Sequence, residues 1–309
     1  MNNPDTPYNE IDLNDLLKII WHNKFKVISL SLLAMLLSLV ISLSVSNIYT
    51  STAILKPKNA ENSMPPSFGQ LSSFASLGGI DLNSKNITKS DEAITRIKSF
   101  EFFSNNFIPN IRLENLVALD SWSYTNNQYT YNNDIYLPES DKWVREVKPP
   151  KSSKPSLQES YLIYKDTLKI FYEDENGFVQ ISMSNKSPLI AKRWVDIIIK
   201  EINKEMKLIE LTKANNSINF LSEYSKSTNI QSLEKAISKL MEAQMQTLMM
   251  ANANDDFVFE IIDNPIVPEE KSFPNRILIT ISGTLLGFII SCLYFCYVNR
   301  KQIYRKTLP

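Results

Sequence analysis

The paired acids are the first residues that could do chemistry: Glu173 with Glu175, Asp255 with Asp256, and Glu269 with Glu270. Two carboxylates flanking a glycosidic bond can hydrolyse it, one as acid and the other as base or nucleophile. Here each pair sits in a turn-like or proline-rich stretch, where adjacent acids are ordinarily solvated charge. The single histidine, His22, stands at the approach to an apolar run and reads as an interfacial side chain rather than a general base. Cys292 and Cys296 share one helical face inside a second apolar run. They could form a metal or redox pair, or simply be small filler in an apolar helix. None of the six glycines belongs to a GxxxxGK[ST] phosphate loop, and no zinc-ligand spacing occurs, so no cofactor and no catalytic residue is expected. With 33 basic and 33 acidic residues the chain has no bulk attraction for nucleic acid.

The elements that would position any site are set by two apolar runs. One covers residues 27–45, with no charge from Lys26 to Lys56; the other covers 276–298, with no charge between Arg276 and Arg300. A bilayer core takes roughly 20 helical residues, so both read as spanning helices. For the first, a cleaved signal peptide is the rival reading, since Ser44 and Ser46 imitate a cleavage pattern. Lys18, Lys24 and Lys26 flank one run, and Arg300, Lys301, Arg305 and Lys306 the other, which puts tails 1–26 and 299–309 in the cytoplasm. Residues 46–275 are then external. Ahead of the first run, Ile11, Leu13, Leu16, Leu17, Ile20 and Trp21 suit an amphipathic helix on the membrane surface.

Within the external part, a strand is expected from Ile48 to Pro57, then a long Ser/Asn/Pro/Gly loop, then a helix capped by Ser90. That helix should bury Ile94, Ile97, Phe103 and either Phe100 or Phe102. Residues 116–155 carry Trp122, Trp143 and several tyrosines among asparagines; they could stack on sugar rings, or pin an irregular segment to the domain. A helix near 157–165 leads into a hairpin of strands 167–172 and 178–184, with Gly177 at a left-handed position. Ser187-Pro188 opens a helix over 188–226, with the stripe Ile190, Trp194, Ile198, Ile202, Met206 and Ile209. A second helix, 229–251, is expected behind a capping box of Thr228 and Gln231. A strand at 257–262 follows. Pro265, Pro268 and Pro274 then make an extended, stiff strut into the second apolar run. Inside that run Gly283 and Gly287 form a GxxxG pair, extended on the same face by Thr280 and Ser291, suited to close contact with the first apolar helix or with a neighbour.

These pieces resemble the polysaccharide co-polymerases, specifically the Wzz-type chain-length determinants. The resemblance rests on EIDLNDLLKIIW before the first run, DEAITRIKSFEFFSNNFI, PPKSSKPSLQESY, SLEKAISKLMEAQMQTLMMANANDDFVFEIID, and PIVPEEKSFPNR before a glycine-bearing second run. The chain departs from the family's proline-glycine motif: Phe273-Pro274-Asn275 stands where Ser-Pro-Lys is usual. Gly287 takes the first glycine position, and Ser291 replaces the second. The resemblance implies an α+β fold with two transmembrane helices flanking a periplasmic mixed α/β base domain that carries a long helical arm. It further implies a non-enzymatic inner-membrane protein assembled as a ring-like homo-oligomer. Its partners would be a Wzy-type polymerase and a lipid-linked glycan such as O-antigen. About eleven residues follow the second run, as in the kinase-free subgroup. A two-span sensor or ligand-binding module, and a capsule export component, remain as alternatives.

Overall fold

The structure, a computed structural model, describes residues 21–58, 88–173, 176–227 and 230–306. The expected surface helix at 11–20, the polar loop after Pro57 and the capping residue Thr228 lie outside the described residues. The chain divides into two compact units, one of residues 1–47 with 272–309, the other of residues 48–271.

The first unit holds helix α1, Lys24–Ser44, and the C-terminal helix, Arg276–Lys306. The apolar stretches have mean hydropathies of 2.4 over Lys24–Ser44 and 2.1 over Arg276–Val298. Their large side chains stand bare: Leu33, Leu37, Ile281 and Leu285 are each more than half exposed. A soluble core helix would bury such side chains, so two helices of this kind fit a two-span membrane protein.

The second unit is α+β. Strand β1, Tyr49–Pro57, lies in a four-stranded antiparallel sheet of order β6-β7-β1-β8, with β6 Leu168–Tyr172, β7 Val179–Asn185 and β8 Phe259–Asp263. Alternation along β1 turns Ser51, Ala53 and Leu55 inward, and on the other face Thr50 and Thr52 exchange hydroxyl hydrogen bonds with Ser184 and Ser182, each 2.9 Å. The β6–β7 turn carries Gly177 at φ +71°, the left-handed geometry expected of it.

Helix α2, Lys89–Ile97, begins two residues earlier than expected. Its cap is Thr88, not Ser90: the Thr88 hydroxyl accepts from Asp91 N, and the Asp91 carboxylate accepts from Thr88 N. Ser90 is buried and contacts Thr88 instead. The helix does not continue to Phe107. It stops at Lys98, Ser99 caps a new turn at Phe100–Phe102, and a wide turn follows over Phe103–Phe107. This break rotates Phe102, Phe103 and Phe107 inward and leaves Phe100 41% exposed.

After α3, Leu113–Val117, the aromatic segment is not irregular but forms two small hairpins. β2 Leu119–Ser123 pairs with β3 Gln128–Tyr131, and β4 Tyr136–Leu137 with β5 Lys142–Trp143. Helix α4, Leu157–Thr167, starts at a Ser156/Glu159 capping box.

Helix α5 runs unbroken from Pro188 to Lys226, 39 residues, with Ser187 at the cap and Pro188 at the first position. Its early stripe, Ile190, Trp194, Ile198, Ile202 and Met206, is buried against Ala53, Leu55, Ile181 and Met183 of the sheet and the ring cluster of Phe103, Phe107 and Tyr164. Beyond Met206 only Ala214 of this helix is buried. Helix α6, Gln231–Ala253, packs back on α5 with Ile237 buried. It begins behind Ile230, which makes no side-chain cap bond. The C-terminal helix of the first unit is α7.

Candidate helix-pair site

The apolar helices α1 and α7 run antiparallel in close contact. Val27, Ser31, Ser38 and Ser42 are the buried residues of α1, spaced so that they share one face. On α7 the facing positions are Gly283, Gly287 and Ser291. A Cβ placed on Gly283 would collide with the Ser38 side chain, its Oγ lying 2.7 Å away. One placed on Gly287 would collide with the Ala34 Cβ and lie 3.7 Å from the Ala34 Cα and 3.8 Å from the Ser31 Cα. Both glycines therefore sit where the small side chains of Ser38 and Ala34 on the facing helix leave no room for another Cβ.

Polar atoms in this contact are handled in two ways. Ser31 donates to Val27 O, Ser38 to Met35 O, Thr280 to Arg276 O and Thr284 to Thr280 O, all within their own helix. These bonds satisfy hydroxyls that hydrocarbon could not. Ser291, fully buried, instead donates across the pair to Val27 O at 3.3 Å, the same carbonyl that Ser31 uses. The hydroxyl at the position where the resemblance implied a glycine thus makes an interhelical hydrogen bond. At the other end of the pair Arg276 donates to Asn47 Oδ1 at 3.3 Å, while Ser42 Oγ and Arg276 Nε are buried without a partner.

The structure brings Gly283, Gly287 and Ser291 together on one face, and it adds Ser31, Ala34, Ser38 and Ser42, which reading the sequence missed. Their spacing in ISLSLLAMLLSLVISLS was the available signal. Cys292 and Cys296 are both free thiols, half-buried on α7. Pro265 and Pro274 are buried, Pro268 is half-buried, and Ser51 donates to the Ile266 carbonyl at 2.7 Å beside Pro265.

The acids are scattered. Glu173 accepts from Asn176 and Gln180 in the β6–β7 turn, and Asp255 pairs with Lys207 at 3.3 Å. Among the described residues no three His, Cys, Asp or Glu side chains group as metal donors. The strongly shifted acid is structural. Arg145 at 2.6 Å, the Ser156 N–H and Lys151 hold the Glu159 carboxyl down to about 2. Tyr136 is pushed up to about 12, first by its 2.6 Å bond to Asp141 and then by burial.

A model of the Wzz chain length determinant protein family matches residues 9–99. Similar solved structures include a full-length bacterial polysaccharide co-polymerase, 14% identical over 95% of this chain and 99% of that one, with a TM-score of 0.39. Another is a fragment of WzzB, polysaccharide co-polymerase from Salmonella Typhimurium, 15% identical over 74% of this chain and 100% of that one, with a TM-score of 0.28. No curated protein sequence matches the chain. The family match takes in α1, β1 and α2, and over those residues the chain is similar to the Wzz chain length determinant proteins.

Proposed function

We propose that this chain is an inner-membrane regulator of polysaccharide chain length, acting as an oligomeric co-polymerase beside a Wzy-type polymerase on a lipid-linked, O-antigen-like glycan. The family match over residues 9–99 carries the reading. The two bare apolar helices support a two-span anchor, and the basic residues flanking them support a periplasmic side for residues 46–275. In this reading the α1–α7 contact through Gly283, Gly287 and Ser291 holds the anchor as one body, and Pro265, Pro268 and Pro274 stiffen the connection to it. The protein forms no glycosidic bond itself: Glu173 and Asp255 are engaged in a turn and an ion pair, which supports a role in setting length rather than in catalysis.

Deleting the gene tests this. The surface polysaccharide ladder should persist and lose its preferred length. Complete loss of polymer with the polymerase still expressed would show that the chain makes bonds.

A further inference from the structure

Both connectors leave the α+β unit at the same end of its sheet. Tyr49 is the first residue of β1 and pairs with Asn185, the last of β7. On the other side of β1, β8 ends at Asp263 opposite Ile54, and the chain continues alongside to Ile266, whose carbonyl meets Ser51. It is therefore heading for the Tyr49 end when it leaves. Residues 45–48 alone separate Tyr49 from the last residue of α1, a reach of at most about 18 Å.

An aromatic cluster occupies that end. The Trp122 ring of β2 stands edge-on to Tyr49, centroids 6.2 Å apart at 85°, and edge-on to Tyr124, 5.8 Å at 87°. Tyr124, in the β2–β3 turn, is 88% exposed. The indole N–H of Trp122 donates to Asn127 Oδ1 at 2.9 Å, so the ring's polar atom is satisfied within the hairpin. Lys186, directly after β7, pairs with Asp120 of the same hairpin at 3.4 Å. The opposite end of the sheet, where Tyr172 pairs with Val179, carries no such ring cluster among the described residues.

We infer that the β2–β3 hairpin, through Trp122 and Tyr124 with Tyr49, is a bilayer contact that seats the external unit on the phospholipid headgroup layer. The inference rests on the two-span reading above. Trp and Tyr, with an apolar body and a polar tip, partition to the membrane–water boundary. An exposed tyrosine beside a tryptophan, at the rim where both membrane connectors depart, has that boundary as its nearest apolar medium. Rings set at right angles present edges rather than one flat platform, which suits a headgroup layer better than a sugar face.

The test uses the full chain with Cys292→Ser and Cys296→Ser, reconstituted in phosphatidylcholine/phosphatidylglycerol nanodiscs with or without brominated acyl chains. An environment-sensitive fluorophore is placed in turn on Tyr124→Cys, Asn126→Cys, Tyr172→Cys and Leu33→Cys. Bromolipid should quench the Leu33 label strongly, the two hairpin labels to an intermediate degree, and the Tyr172 label not at all. Quenching at Leu33 with hairpin labels no different from Tyr172 overturns the bilayer contact alone. Absence of quenching at Leu33 removes the two-span reading and the inference with it. Hairpin labels insensitive to bromolipid but blue-shifted by added oligosaccharide overturn it in favour of a glycan-stacking surface.

Discussion

The side chain of Asn203 acts as a strand for Phe259: its Oδ1 accepts from Phe259 N at 2.9 Å and its Nδ2 donates to Phe259 O at 3.0 Å. The same oxygen accepts from Val258 N at 2.8 Å. β8 is an edge strand, and an edge leaves backbone groups without partners. Where β8 begins, Val258 and Phe259 are fully buried beside α5, so water cannot reach those groups, and one amide substitutes for the missing ladder.

Asn203→Ala should therefore be far more costly than its small change in volume suggests. It strands two N–H groups and a carbonyl in a site where Asn203 is only 4% exposed. At about 1–3 kcal/mol for each buried unsatisfied group, a loss of about 3 kcal/mol or more is expected. Thermal unfolding of the full chain in detergent measures it; a midpoint within a degree of wild type would refute the account.

Gly287→Ala should loosen the helix pair, because the new Cβ meets the Ala34 Cβ head on. Overpacking of this kind costs about 1–3 kcal/mol. Adding Ala34→Gly removes the obstructing atom, so the double variant should recover most of the lost stability in a detergent melt. A double variant no better than the single one would mean that this face does not set the contact. Ser291→Ala, which deletes only the bond to Val27 O, should cost less, about 0.6 kcal/mol.

Glu159 predicts a pH dependence. Its folded value, about 2, lies below the ordinary 4.5 because the carboxylate is held by Arg145, the Ser156 N–H and Lys151. Stabilisation by this group is complete above 4.5 and is lost as pH falls from 4.5 towards 2. Urea unfolding midpoints taken at pH 5, 3.5 and 2.5 should drop less steeply for Glu159→Gln than for wild type. Parallel slopes would assign the acid sensitivity elsewhere.

Topology is open to direct labelling. In a chain lacking Cys292 and Cys296, Lys226→Cys should react with an impermeant maleimide in intact spheroplasts, and Thr307→Cys only after lysis. The reverse pattern would invert the protein in the membrane.

What the sequence made legible is what local rules decide. The Ser187-Pro188 start, the buried stripe of α5 and the positive φ of Gly177 each follow from neighbours within a few residues. The cap of α2 was harder, since Thr88 and Ser90 are both good cap residues, and only the position of Asp91 three residues after Thr88 separates them. Serines inside an apolar run read as tolerated polar atoms until the opposite helix is known. That helix lies some 250 residues away, so the face of Gly283, Gly287, Thr280 and Ser291 drew attention while the serines facing it did not. Asn203 gave no signal for the same reason: a lone amide in a helical stripe looks like a defect, and its partners, Val258 and Phe259, belong to another element.

Helix α5 is clamped by the sheet over its first half, and beyond Met206 it is α6 that packs against it, leaving Ala214 its one buried residue there. With no break before Lys226, its outer 20 residues form a lever of about 30 Å at 1.5 Å per residue. A tilt of about 5° at the Met206 fulcrum would swing the far end by about 3 Å on that geometry, the width of a hydrogen bond. The packing of Trp194, Ile198 and Ile202 against the sheet therefore sets the aim of a tip that they do not touch.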